Sequence, residues 1–352
     1  SYMGTSGNAS SVLSAPMGNY GDIENKGLEI SLNTHPLVGA FEWDSDFQIS
    51  FNKNKLRALS GTANAQIVGY GQWTDVVSVT NVGESLYNFY GYVCDGVYED
   101  LEDLQTSAKP EKYPANGVFN RTNTVWVGDI KYKDLNGDGV IDENDRTNIG
   151  SPLPKFTFGW TNTFRYKNFD LSLFINGSYG NKVYNYLAMK LTHMNSSWAN
   201  QLTTVLDRAQ IVPIDETKDY SGGVLVNGTM VHNWYDDITN VRVSNPETST
   251  PRSSVQDPND NDRISDRYIE DGSYIRLKNI TLGYTFPSKM IKKWGLENLR
   301  VYANIQNLLT ITGYSGYDPE IGASTSSANV YGLDNGRYPS PTVYSFGLNV
   351  SF

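Results

Sequence analysis

The constraint that bears hardest on this chain is strict two-residue alternation, sustained over segments of about ten residues, the length of a membrane-crossing strand. In KFTFGWTNTFRY, Phe156, Phe158, Trp160, Phe164 and Tyr166 fall on one face, and Thr157, Thr161, Thr163 and Arg165 on the other. Lys167-Asn168 then leads straight into FDLSLFINGSYG, where Phe169, Leu171, Leu173, Ile175 and Tyr179 alternate with Asp170, Ser172, Asn176 and Ser178. Successive side chains of a strand point to opposite faces, so this pattern specifies a strand with one apolar side. A two-residue connection between two such runs makes a hairpin.

The same grammar recurs along the chain. Leu28, Ile30 and Leu32 alternate with Glu29, Ser31 and Asn33. After a turn around Pro36, Phe41, Trp43, Phe47, Ile49 and Phe51 oppose Glu42, Asp44, Asp46, Gln48 and Ser50. A third pair spans 273–286 and 299–312. In its first member the phase slips: Ile275 and Leu277 are odd, whereas Ile280, Leu282, Tyr284 and Phe286 are even. A β-bulge near Lys278 accounts for the slip. The last run, TVYSFGLNVSF, sets Tyr344, Phe346, Leu348, Val350 and Phe352 against Ser345, Gly347, Asn349 and Ser351.

These runs can be the halves of a water-soluble sandwich or the wall of a transmembrane barrel. Aromatic content (24 Tyr, 13 Phe and 7 Trp) concentrated near strand ends suits the two interfacial girdles of a barrel. Connections alternate between short (THPLVGA, KN, PSKMIKKWGLEN) and long (53–154, 181–271, 313–341). With Phe352 on the periplasmic side, every short turn falls in the periplasm and every long loop outside, as in bacterial outer-membrane barrels. The expected fold is therefore all-β: an antiparallel transmembrane β-barrel with long extracellular loops. Seven strands are an odd number, so partner strands are expected elsewhere. The opening SYMGTSGNASSVLSAPMG reads as the interior of a loop, so the chain is expected to begin partway through a longer protein.

Several functions are disfavoured. A formal charge of −10 argues against nucleic-acid binding. Cys94 is the only cysteine, so neither a disulfide framework nor a thiolate zinc cluster can form. His35, His193 and His232 are far apart, and no nucleophile–base arrangement is visible, so no enzymatic activity is expected. No segment approaches the ~18 apolar residues of a membrane helix.

One motif carries chemistry. In DLNGDGVIDEND, Asp134, Asn136, Asp138, the Val140 carbonyl, Asp142 and Asp145 hold positions 1, 3, 5, 7, 9 and 12 of a calcium loop. Gly139 takes the sharp turn and Ile141 the apolar position. Asp replaces the usual Glu at the last position. The flanks are not helix-like, which points to a structural Ca²⁺ that staples an external loop. Residues 184–209 are the best helical candidate, with Leu187, Leu191, Met194, Trp198, Leu202 and Leu206 on one stripe. Trp73, Trp126, Trp198, Trp234, Tyr268, Tyr314 and Tyr317 are expected as exposed loop aromatics, able to stack on sugars or to pack loops together. PRSSVQDPNDNDRISDR (251–267) fits no ligand template and reads as a polar turn.

The runs GDIKYKDLNGDGVIDENDRTNIGSPLPKFTFGW, YIEDGSYIRLKNITLGYTFP, NLLTITGYSGYDPEIG and VGESLYNFYGYVCDGVYED together resemble the C-terminal part of SusC/RagA-family TonB-dependent outer-membrane transporters. The resemblance spans most of residues 20–352. It implies a barrel of about 22 strands, plugged from within by an N-terminal domain. It also implies a SusD-like surface lipoprotein as a lid and uptake driven by the TonB complex through the missing N-terminal part. On this reading residues 1–352 are the C-terminal portion of the barrel, embedded in membrane lipid and completed by the remaining N-terminal portion. Phe352, with Val350 and Leu348, resembles the terminal signal read by barrel-assembly machinery. Where the family often has an Asp-Arg-Trp run, this chain has Asp207-Arg208-Ala209. The cargo, oligosaccharide or peptide, and the residues that touch it do not follow from the resemblance. The rivals are an extracellular calcium-binding β-protein, glycan-binding or hydrolytic, and a passive porin.

Overall fold

The computed structural model describes residues 21–60, 65–71, 75–195, 199–322 and 329–352. Its organising element is one seven-stranded sheet. The strands are β1 (Gly21–Leu37), β2 (Phe41–Leu59), β3 (Phe156–Tyr166), β4 (Phe169–Tyr179), β5 (Tyr274–Thr285), β6 (Asn298–Thr312) and β7 (Val343–Ser351). They lie side by side in chain order, each antiparallel to the next. Short connections therefore gather at one end of the sheet and the three long ones at the other. All seven expected strands form.

Register keeps the two faces distinct. Trp43 opposes Phe164, Phe47 opposes Trp160, Leu171 opposes Leu282, and Val301 opposes Leu348. Arg165 opposes Glu42 and Thr281 opposes Asn304 on the other face. The phase slip is resolved as expected: Phe174 pairs with Asn279 and Ile175 with Leu277, so Lys278 is left out of the ladder. On β6 the compensating irregularity falls at Asn307, at φ 52.

Two boundaries differ from the expectation. β1 and β2 run on to Gly21 and Leu59, past the alternating core of each segment. β1 also continues through Pro36, because the register shifts between Thr34 and Leu37 and no ladder hydrogen bond is asked of the proline.

Large apolar side chains on the sheet stand exposed: Leu28, Ile30, Leu282, Ile311, Phe346 and Leu348 are among them. Among the described residues no second sheet covers this face. Aromatic rings cluster at its two ends. Phe169 and Tyr284 are 4.7 Å apart and Tyr284 and Phe286 5.1 Å apart by the short turns. Phe51 and Phe156 (5.7 Å) and Phe156 and Tyr179 (5.1 Å) meet by the long connections. A polar pair set into the face, Ser45 opposite Asn162, is roofed by indoles: Trp43 Nε1 donates to Asn162 Oδ1 and Trp160 Nε1 to Ser45 Oγ, each at 2.9 Å. In surroundings without water, such internal pairing is what a polar group requires.

The buried core lies in the long connections. One cluster draws Tyr98, Leu104, Trp126, Ile130 and Ile141 from the first connection together with Ile238, Val241 and Val243 from the second. A second cluster joins Val77 and Phe89 to Tyr184, Tyr268 and Leu333, so that all three connections contribute. A three-stranded sheet (Lys182–Asn185, Ile269–Asp271, Leu333–Asp334) ties the second connection to the third. The long connections are one interlocked cap at the end of the wall.

Candidate functional site

The polar face of the wall is laid out as cross-strand charge pairs. Arg165 reaches Asp44 at 2.5 Å and Glu42 at 3.5 Å, and His35 Nδ1 meets the same Asp44 at 2.6 Å. Arg300 Nε donates to Asp170 at 3.0 Å. Asn304 donates to Asn279 and Thr281 at 2.8 Å each. Arg165 lies directly opposite Glu42 and diagonal to Asp44, and opposite charges so placed stabilise the register, whereas Arg300 reaches Asp170 across β5, over Gly283.

Where wall and cap meet, Arg276 is 2% exposed and makes three side-chain contacts. Its Nε donates to Thr310 at 2.8 Å, one Nη to Asp318 at 2.6 Å and the other to Glu320 at 2.8 Å. Lys278, the bulged residue, adds a contact to Glu320 at 3.1 Å. Burial alone would raise the Asp318 carboxyl, but hydrogen bonds from the Glu320 N–H, Arg276 and Ser340 outweigh it and hold the group down at about 2. The third connection is thereby pinned to the polar face by an arginine that the bulge places beside it.

Inside the cap, Asp129 and Arg252 form a two-pronged pair at 2.7 and 3.2 Å, both almost wholly buried. Asp129 also accepts from the Trp126 N–H (2.8 Å) and Asn261 Nδ2 (3.2 Å), and Asn261 Oδ1 accepts from the Ile130 N–H at 2.7 Å. Residues 251–267, read from sequence as a polar turn, are thus the polar framework of the core. They also bring Asp257 and Asp262 to His193, with ligand atoms within 4.8 Å of one another and a His193–Asp262 contact of 2.7 Å. No local spacing signals this cluster, since its members come from two distant stretches. Cys94 is partly buried, and loss of solvent pushes its thiol up to about 12, so it carries no thiolate for nucleophilic chemistry.

The loop at 134–145 is wound by its own side chains. Asp134 accepts from the N–H groups of Gly137 (2.6 Å) and Gly139 (2.8 Å), and Asp138 from that of Val140 (2.9 Å). Hydrogen bonds from Gly139 first, and from Gly137, hold the Asp134 carboxyl below its usual range. Asn136 contacts Asp138 at 2.9 Å. Asp142 caps a short 3-10 turn, Glu143–Asp145. Asp145, fully buried, closes the loop by accepting from the N–H groups of Leu135 (2.9 Å) and Asp142 (2.8 Å). Val140 and Ile141 pair with Lys109 and Pro110, which drives Ile141 into the cap's core. As placed, these carboxylates serve backbone donors, and no three of them converge within 4.8 Å.

Other expected features land differently. The helix expected over 184–209 is one short α-helix, Tyr186–Leu191, followed by a 3-10 turn, Thr203–Asp207. Tyr184 and Asn185 are taken into a strand, and Leu206 is exposed, so the expected stripe does not form. Trp126, Tyr268 and Tyr314 are buried packing groups, whereas Tyr317 is exposed and Trp234 half-buried. Trp73 and Trp198 lie outside the described residues. Leu348, Val350 and Phe352 all stand exposed on the apolar face or at its end.

No protein-family model matches the chain. It is 34% identical over 348 residues to TonB-dependent receptor P3 of Formosa agariphila, covering 97% of this chain and 30% of that protein. To TonB-dependent receptor P26 of the same organism it is 33% identical, covering 95% of this chain and 30% of the relative. To TonB-dependent receptor SusC of Bacteroides thetaiotaomicron it is 26% identical, covering 95% and 27%. The chain therefore spans less than a third of the length of the curated relatives it matches. Among solved structures it superimposes on the RagAB peptide transporter with a TM-score of 0.65 at 19% identity, over 95% of this chain and 30% of that one. The likeness is one of fold: an antiparallel barrel wall with its loops. Over nearly its whole length, then, the chain is similar to part of proteins named TonB-dependent receptors, SusC among them, and its wall has the fold of a portion of such a barrel.

Proposed function

We propose that this chain supplies wall strands and a surface cap to an outer-membrane transporter that imports a nutrient too large for passive pores. The apolar face meets lipid, the polar face lines the lumen, and the cap stands on the extracellular side. The single observation that carries this reading is the inversion at the sheet: apolar side chains exposed on one face, paired charges on the other. A soluble sandwich would cover the apolar face with a second sheet, and none does so among the described residues. A SusD-like lipoprotein as lid and the TonB complex as energy source belong to the same proposal, as do strands supplied by the rest of the barrel. The RagAB peptide transporter, whose fold the wall shares, makes peptide a cargo to test beside oligosaccharide. The test is the intact mass of every polypeptide in the detergent-purified native complex. A longer barrel chain or precursor together with a lipoprotein is expected. A 39.2 kDa chain alone and soluble without detergent would overturn the reading.

The loop Asp134–Asp145 is proposed as a structural Ca²⁺ site, with Asp134, Asn136, Asp138, the Val140 carbonyl, Asp142 and Asp145 as oxygen donors. Its support is the donor set and the pre-wound turn, since a cation of calcium's size takes six to eight such oxygens. Replacing Asp134 and Asp138 by Ala should make the 99–154 region more sensitive to protease, and a chelator should do the same to the unmodified chain. Equal sensitivity in all conditions rules the site out. Phe352, with Val350 and Leu348, is proposed as the row read during barrel assembly. Phe352→Ser should lower surface levels, and normal levels would refute that role.

A further inference from the structure

The third short turn, Phe286–Glu297, is unlike the other two. It carries Lys289, Lys292 and Lys293 within five residues of a chain whose net charge is −10. All three are exposed, and none forms an ion pair among the described residues. Lys293 lies 5.3 Å from the Trp294 ring. Met290 and Trp294 are exposed beside them, while Ile291 is buried and fixes the turn to the wall. The local acid is Glu297, at the far end of the turn.

Directly above this turn the apolar face is hollowed. A groove of about 700 Å³ starts at the aromatic rim, Phe169 and Tyr284, and runs over Val301 and Ala303 to Phe346 and Leu348. Ala303 is the reason for the hollow: its opposed neighbours are Leu282 and Phe346, and its methyl leaves the floor between them open. Tyr284 pairs with Val301 one register step from the strand ends that the turn joins. The groove therefore reaches the end of the sheet from which the turn departs.

We propose that this groove and turn together bind one anionic phospholipid, an acyl chain lying over Ala303 and the phosphate held by Lys289, Lys292 and Lys293. The inference rests on the reading that the apolar face meets lipid. Charge selects the ligand: three unpaired ammonium groups beside an aromatic rim favour an anionic headgroup over a zwitterionic one, and Trp294 suits the headgroup depth. The shape of the groove selects a chain over a flat contact.

The experiment uses the whole delipidated transporter that contains this chain, titrated with phosphatidylglycerol and with phosphatidylcholine and read by native mass spectrometry. The unmodified protein should bind phosphatidylglycerol more tightly. Each lysine removed should weaken it about fivefold, so Lys289→Gln, Lys292→Gln and Lys293→Gln together should erase the preference. Ala303→Phe should weaken both lipids and leave the preference intact. An unchanged phosphatidylglycerol affinity in the lysine variant, or unchanged binding of both lipids in Ala303→Phe, overturns the site. A nitroxide at Leu171→Cys in a Cys94→Ser background separates this failure from that of the wall. Oxygen-rich, water-poor collisions keep the wall in lipid and condemn the site alone, and water contact condemns the wall itself.

Discussion

Wall and cap obey opposite rules within one chain. In the cap, Trp126, Tyr98 and Ile130 are buried in a core, as in any protein folded in water. In the wall, Leu282, Leu348 and Phe346 are exposed, and the charged side chains pair with one another across the other face. Apolar side chains find protein in one region and nothing but surroundings in the other. The difference teaches that hydrophobic pattern reports which side avoids water, and that the structure must say what takes water's place.

That contrast can be broken region by region. The largest effect is expected from Arg252→Met, which strands Asp129 as an unpaired buried charge and should cost the cap about 3–5 kcal/mol. Urea-dependent loss of cap tryptophan fluorescence should move to lower denaturant while the β-sheet signal of the wall holds. Simultaneous loss of both would mean that the regions fold as one unit.

The wall has its own probe. Leu173→Arg, on the apolar face at mid-strand, should cost about 2–4 kcal/mol of stability in a bilayer, whereas Ser172→Arg one residue away should be near neutral. Equal costs would erase the distinction between the faces.

The smallest expected effect sharpens the description of the cap. Burial, with Asp129 close by, lifts the Asp257 carboxyl to about 6. An unfolded Asp titrates near 3.9, so the folded cap binds this proton more tightly than the unfolded chain does. The stability it contributes is fully present below about pH 3.9 and is lost as pH rises through about 6. Asp257→Asn should therefore match the unmodified protein in melting temperature at low pH and exceed it above neutrality. Parallel curves at all pH values would contradict this.

The wall was legible in the sequence because its rule is local. Alternation across Phe156–Tyr179 names both strands, the turn and both faces, and a slip of one position located the bulge at Lys278. Little of the cap was legible, because its rule is not local. Asp129 and Arg252 are 123 residues apart, and nothing near either foretells the other. His193, Asp257 and Asp262 meet for the same reason. The stripe over 184–209 failed because Asn185 caps a helix of only six residues and the chain then turns to pack Val205 rather than Leu206. The loop at 134–145 reads in the sequence as a calcium loop, and the structure shows its Asx side chains winding their own backbone.

The central claim is that one face of the wall meets lipid and the other water. Cysteines placed singly along β4 at Leu171, Ser172, Leu173, Phe174, Ile175 and Asn176, in the whole transporter with Cys94→Ser, test it most directly. In a bilayer, Ser172, Phe174 and Asn176 should react with a charged, water-soluble maleimide, and Leu171, Leu173 and Ile175 should not. Uniform reactivity, or the reverse order, would contradict the account.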